Sequence, residues 1–231
     1  MAPRSKEPRI SVNKLAEYLD CKAARRTKIL QDQKFPQDYI VVYYKEASEA
    51  ISQFLSNNMQ DISILDRAIR VLEQRSGDTI QAQRRINGNI DAIENFQSMA
   101  DDIDFGTMEP SLGANSPETL KIRGVSVSVR PEITLIGKNK RGQFQNGAIK
   151  LHFSKNFSLS EDAAAYVSAI LNTYTKDILM RDGSVSSSYC HVIDVGSKTI
   201  WPGVKAVRQR MKDVEEACLE IADRWKLIQQ P

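Results

Sequence analysis

The stretch VSVSVRPEITLIGKNKRGQFQNGAIKLHFSK, Val125 to Lys155, decides the fold. Val125, Val127 and Val129 alternate with polar residues. Ile133 and Leu135 extend the apolar series to a Gly/Lys-rich break, and Ala148 and Ile149 resume it beyond. An apolar period of two marks strands with one buried face, so the spacing predicts adjacent β-strands joined by a turn at Lys138 to Gly142. Helical patterns flank this stretch on both sides. The expected fold is α/β (α+β): a small β-sheet core flanked by helices, with a largely helical N-terminal half. Two polar positions stand out, Glu132 directly after Pro131 and Lys150 inside an otherwise apolar strand. Alternation puts Ala148, Lys150, His152 and Ser154 on one face of that strand and Ile149, Leu151 and Phe153 on the opposite, buried one.

Upstream, Met1 to Arg9 reads as a frayed leader. Ser11 has the character of an N-cap, followed by Val12, Leu15, Ala16 and Leu19 at helical spacing, with a break expected near Asp20 to Lys22 before the pattern continues to Leu30. Pro36 suits the first turn of a second helix, striped by Ile40, Tyr43, Tyr44, Ala47, Ile51, Phe54 and Leu55. Asp61 caps a third, closed by Gly77, and a fourth starts near Thr79 with Gly88 inside it. A glycine there predicts a close packing contact or a local break. The stretch 101–117, DDIDFGTMEPSLGANSP, has the prolines and glycines of a connector. The expected division is a helical region over 1–104, a connector over 105–118 and an α/β core with a C-terminal helix over 119–231.

Downstream, Thr119 to Arg123 predicts a short strand, Ser160 starts a helix reaching Tyr174, and Tyr189 to Val195 returns to strand propensity after a break at 182–188. Trp201 and Pro202 introduce a last amphipathic helix from Gly203 to about Ile228.

The chain's 231 residues suffice for one substantial core. With no apolar run near 18 residues and no signal-like N-terminus, the expectation is a cytoplasmic protein without a membrane segment. Cys21, Cys190 and Cys218 are odd in number and far apart, which argues for small buried hydrophobes rather than a disulfide framework or zinc site. Two histidines supply a metal site poorly. The net charge of +3 conceals an asymmetry: residues 1–34 hold nine Lys/Arg against four Asp/Glu. Arg25, Arg26 and Lys28, with Lys138, Lys140 and Arg141 in the hairpin turn, are the candidate contacts to a phosphate backbone. The alternative for both groups is a solvated surface.

A hairpin bearing an acid and a lysine, preceded by helices and followed by a helix and another strand, resembles the core of PD-(D/E)XK nucleases of the RecB-like branch. Arg130-Pro131-Glu132 resembles that family's Pro-acid element with Glu for Asp. Ala148-Ile149-Lys150 falls where acid-X-Lys is expected, keeping the lysine and losing the acid. The helix with Tyr166 and Tyr174 looks like the one carrying a Gln-to-Tyr element, with Ile170 where the Gln would stand, and Ile10 to Arg26 is similar to the N-terminal helix of RecB-like proteins. The resemblance implies phosphodiester cleavage with Mg²⁺ held by two carboxylates and a lysine beside the attacking water. On this chain Glu132 and Lys150 would take two of those roles. The second acid would have migrated, to Asp194 first and to Glu161 or Asp162 next. The implied partner is nucleic acid, DNA ahead of RNA. The alternative is a nuclease fold emptied of catalysis and kept to bind nucleic acid, or a protein partner through its amphipathic helices, in a prokaryotic multi-component system. A third reading is a plain helical assembly protein.

Overall fold

The computed structural model describes residues 7–36, 43–154 and 157–229. It is an α/β fold built around one strand, β6 (Phe144–His152), in which every residue from Asn146 to His152 is buried. On one side β5 (Ile133–Lys138) pairs antiparallel with β6 through a tight turn, the hairpin the alternation predicts. On the other side β7 (Ser184–Asp194) runs parallel to β6. Parallel neighbours cannot be joined by a tight turn, and the long connection is made by α6 (Glu161–Tyr174) and a π-helical turn after it. Antiparallel edge strands β2 (Met108–Leu112), on β5, and β8 (Thr199–Trp201), on β7, complete the five-stranded order β2-β5-β6-β7-β8.

Val125, Val127 and Val129 are buried as expected, but in a different sheet. Strand β4 (Val125–Ser128) lies between β3 (Leu120–Ile122), antiparallel, and β1 (Arg9–Ser11), parallel. The separation is made at two residues. Arg130 takes a left-handed backbone with φ of 45°, and Pro131 follows it with no N–H to give to a ladder. There the chain leaves the three-stranded sheet and enters the five-stranded one.

Helices cover both faces of the larger sheet. Against one face, α3 (Lys45–Ser56), α4 (Ser63–Glu73) and α5 (Ile80–Gln97) bury Ile51, Phe54 and Phe96 with Ile133, Leu135, Ile149, Leu151 and Ile193. Against the other, Ala148, Cys190 and Val192 share a core with α6, with α1 (Val12–Asp20), α2 (Ala23–Lys34) and α7 (Val207–Trp225), and with the small sheet. The N-terminal helices thus divide between two layers. The 105–118 stretch contains β2, which tolerates Pro110 as an edge strand that needs no donor on its outer side.

Three helix caps hold, whereas the expected third helix, α4, ends at Glu73, short of Gly77, and Asp61 accepts from the Ser63 N–H at 3.0 Å just ahead of it. Ser11, Thr79 and Ser160 each accept a hydrogen bond from the backbone N–H three residues on, at 3.4, 3.1 and 3.0 Å. The break after Asp20 is present, and Gly88 is a packing contact: a Cβ there would stand 2.9 Å from the Tyr43 ring. Ile40, expected in the second helix, lies outside the described residues. The last helix starts at Val207 rather than Gly203 because Trp201 is spent on β8. All three cysteines are free, and Cys190 and Cys218 are buried.

One buried cation ties the layers at their far end. Lys34 of α2 donates through Nζ to the carbonyls of Trp225, at 2.5 Å, and Ile228, at 2.9 Å, taking up groups that the end of α7 leaves open. Lys34→Met keeps the aliphatic stem and removes the donors. It is expected to lower stability by about 2 kcal/mol, measured by urea denaturation, since buried acceptors without partners cost about 1–3 kcal/mol. An unchanged midpoint would show that water replaces the ammonium without loss.

Candidate functional site

The β5–β6 register sets Ile133 opposite Ile149, so Glu132, one residue earlier, arrives opposite Lys150. Lys150 points to the α6 side of the sheet and is 8 % exposed. Its Nζ donates to Glu132 Oε1 at 2.6 Å and to the Arg130 carbonyl at 2.9 Å, an oxygen aimed inward by the left-handed turn at Arg130. Glu132 Oε2 accepts from the Leu151 N–H at 2.7 Å, and its backbone N–H donates to the Ile149 carbonyl at 3.0 Å. The structure therefore brings Glu132 and Lys150 together, and each is the other's partner. Both carboxylate oxygens are engaged.

Asp194 ends β7 on the same face, opposite His152, and is fully buried. Its Oδ2 accepts from the Leu159 N–H at 2.9 Å, and Oδ1 from the N–H groups of Gly196, at 3.1 Å, and Ser197, at 3.4 Å. It fastens the loops that follow β6 and β7. Glu132 enters on the β5 side of β6 and Asp194 sits on β7, two strand spacings or about 10 Å across the sheet. Mg²⁺ requires close oxygen ligands in an octahedron. Two carboxylates this far apart, each already engaged by N–H donors on both oxygens, do not share such an ion. Ala148, in the second acid's position, supplies no oxygen. Asp162, on the first turn of α6, pairs instead with Arg210 at 2.8 Å. Among the described residues no three His, Cys, Asp or Glu side chains gather as a metal site.

The carboxyl end of β6 is covered by α1. Asn13 donates to the Leu151 carbonyl at 3.5 Å, and Lys14, Glu17, Cys21, Arg25, Ser154 and Phe157 enclose a cleft of about 450 Å³. Glu17 is buried and bridges Lys14 and Arg25, each at 2.6 Å. Sequence reasoning missed it, although an acid beside Ala16 on an apolar helix face was a usable signal. His152 donates from Nε2 to the Phe157 carbonyl at 2.8 Å, while its buried Nδ1 has no partner among the described residues. Burial pushes the His152 pKa below its ordinary 6.5, and the same cause lowers His191.

The expected phosphate contacts fall into two groups. On α2, Arg25 is held by Glu17, Lys28 by Asp32 at 2.9 Å, and Arg26 by Glu220 at 3.5 Å and the Tyr18 carbonyl at 3.0 Å. Lys138, Lys140 and Arg141 are exposed in the hairpin turn at the opposite end of β6, about 25 Å from His152 along the strand. The two groups do not form one patch. No protein-family model matches this chain, and no curated protein matches it.

Two outcomes are expected of this site. In a double-mutant cycle of Glu132→Leu, Lys150→Met and the pair, Glu132→Leu alone is expected to cost about 3 kcal/mol by leaving a buried ammonium unpaired, and the double variant to recover most of it; additive losses would mean the two side chains act independently. The second concerns acid. The unfolded chain protonates His152 at a higher pH than the folded chain does, so stability is full above pH 6.5 and falls as pH drops below it. His152→Gln is expected to flatten the slope of urea midpoint against pH between about 6.5 and 5; an unaltered slope would remove His152 from the acid response.

Proposed function

We propose that this chain is a cytoplasmic nucleic-acid-binding module with a nuclease-like α/β core that does not cleave. The observation that carries the reading is the closed Glu132–Lys150 pair. A lysine that gives two of its three N–H donors to a carboxylate and a carbonyl is held by the protein rather than presented to a water. A carboxylate with one oxygen on an ammonium and the other on a backbone N–H would ligate a metal ion only in competition with both donors. The succession of hairpin, crossover helix and parallel strand accords with what the PD-(D/E)XK resemblance implies. The binding part of the reading is supported by Lys138, Lys140 and Arg141, which stand exposed on a turn braced by Asn139 and carry no ion pair among the described residues. DNA is favoured over RNA by the resemblance alone. Among the described residues no helix is long and apolar enough to cross a membrane.

Incubating the full chain with single- and double-stranded DNA and RNA in Mg²⁺ or Mn²⁺ tests this directly. The expected result is binding that weakens steeply with salt, no cleavage, and a melting temperature unmoved by either metal, since an ion that bound the folded state would raise it. Metal-dependent cleavage abolished by Glu132→Ala would reinstate the enzyme, and failure to bind any nucleic acid would remove the module.

A further inference from the structure

On the face of the large sheet that carries Lys150, α6 packs over β6, β7 and β8. Toward β5 and β2 the same face is open at the hairpin end. Ile133 and Leu135 bury on the α3–α5 side, so alternation turns Ile136 and Lys138 to the Lys150 side. The ladder pairs Lys138 with Phe144 and Ile136 with Asn146, which makes Ile136 and Phe144 diagonal neighbours. Both are large apolar side chains in water, Ile136 at 50 % and Phe144 at 42 % exposed. Lys138 Nζ stands 5.0 Å from the centroid of the Phe144 ring.

The surroundings make this a rigid, basic platform. Asn139 Oδ1 accepts from the N–H groups of Arg141 and Gln143, at 2.9 and 3.0 Å, and its Nδ2 donates to Gln143 Oε1 at 3.0 Å, so Lys140 and Arg141 are presented from a braced turn. The loop before β7 adds exposed Arg181 and is anchored beside Phe144. There Asn146 Nδ2 donates to the Asp182 carbonyl at 2.8 Å, and Gly183, at φ of 84°, lies so close that a Cβ would meet the Phe144 carbonyl at 2.2 Å. The acids at the margin are Asp182 and, opposite Ile136 on β2, Glu109. Four cations against two acids surround an exposed ring.

We propose that this open face binds single-stranded nucleic acid, with Phe144 stacking on an unpaired base and Lys138, Lys140 and Arg141 holding the neighbouring phosphates. The inference rests on the nucleic-acid reading above and narrows it to strand type. A ring on a sheet surface can take only a base that is free of the stack, whereas phosphate contacts alone accept duplex and single strand alike. Lys138, whose ammonium lies over the ring in the free protein, leaves the π-face to the base on binding and takes the adjoining phosphate.

Fluorescence anisotropy of the full chain with a labelled oligo(dT) and with a mixed-sequence duplex of equal length tests the proposal. The single strand is expected to bind more tightly. Phe144→Ala, and Phe144→Leu as a variant that keeps apolar volume without a ring, are expected to weaken oligo(dT) binding about tenfold and leave the duplex unaffected. Phe144→Trp should retain affinity and lose fluorescence when oligo(dT) is added. Lys140→Ala with Arg141→Ala should weaken both ligands and reduce the slope of log affinity against log salt by about 1–2. Equal affinity for the two ligands, unchanged in the Phe144 variants but lost in the Lys140/Arg141 variant, would overturn the single-strand inference and leave the general reading standing. No binding to either ligand would overturn both.

Discussion

A central strand buried on both faces cannot hold an unpaired charge, and the arrangement around β6 follows from that constraint. Its neighbours β5 and β7 consume its backbone groups, and helical layers exclude water from both faces over 146–152. A bare ammonium in such a place would lose its proton or unfold its surroundings. Lys150 is tolerated because Glu132 and the Arg130 carbonyl reach it within 3 Å. That demand fixes the chain before β5: the left-handed residue at Arg130, the proline after it, and the crossing between sheets all serve to deliver one carboxylate and one carbonyl to the same nitrogen. The ion pair is therefore also a joint, linking the end of the small sheet to the start of the large one.

The same demand narrows the chemistry. The acid-X-Lys element that the resemblance implies would put a second carboxylate beside Glu132, the two together holding the ion and leaving the lysine to the water. With Ala148 in that place, the remaining acid is needed by the lysine, and the site closes on itself. Asp194 does not reopen it, because three backbone N–H groups at the ends of β6 and β7 claim its oxygens. Polar residues that would be reactive in a wetter, more acidic pocket act here as ties between loops and strands.

What could be read in the chain beforehand depended on range. Ser11, Thr79 and Ser160 cap helices through contacts three residues away, and the turn at 138–142 is set by its own Asn and Gly; such features need nothing from the rest of the molecule. Period two in Val125 to Val129 correctly reports one buried face, but it contains no information about which strand lies alongside, and the pairing of β4 with β1 joins residues more than a hundred positions apart. Strand β2 was hidden because an edge strand may hold Pro110, the residue that elsewhere argues against a strand. For the site, the two residue types at Glu132 and Lys150 were legible, and so was their common hairpin. Whether they faced water or one another was not, since that depends on the direction of the Arg130 carbonyl and on the cover supplied by distant helices.

Charge shows the same limit from the other side. By count, the first 34 residues are the basic region of this protein, and the hairpin turn holds only three cations. Folding reverses their standing. Carboxylates reach Arg25, Arg26 and Lys28 of α2 from α1, from α2 itself and from Glu220, 194 positions beyond Arg26, so these three are matched at close range. Coulomb attraction to a distant phosphate is then largely cancelled by the nearer acid. On the hairpin, Lys140 and Arg141 project past the last ladder pair, where no other element of the described chain brings an acid against them, and Phe144 adds an apolar surface next to the charge. Lys138, Lys140 and Arg141, which carry no ion pair among the described residues, stand at the end of β6 away from Glu132 and Lys150.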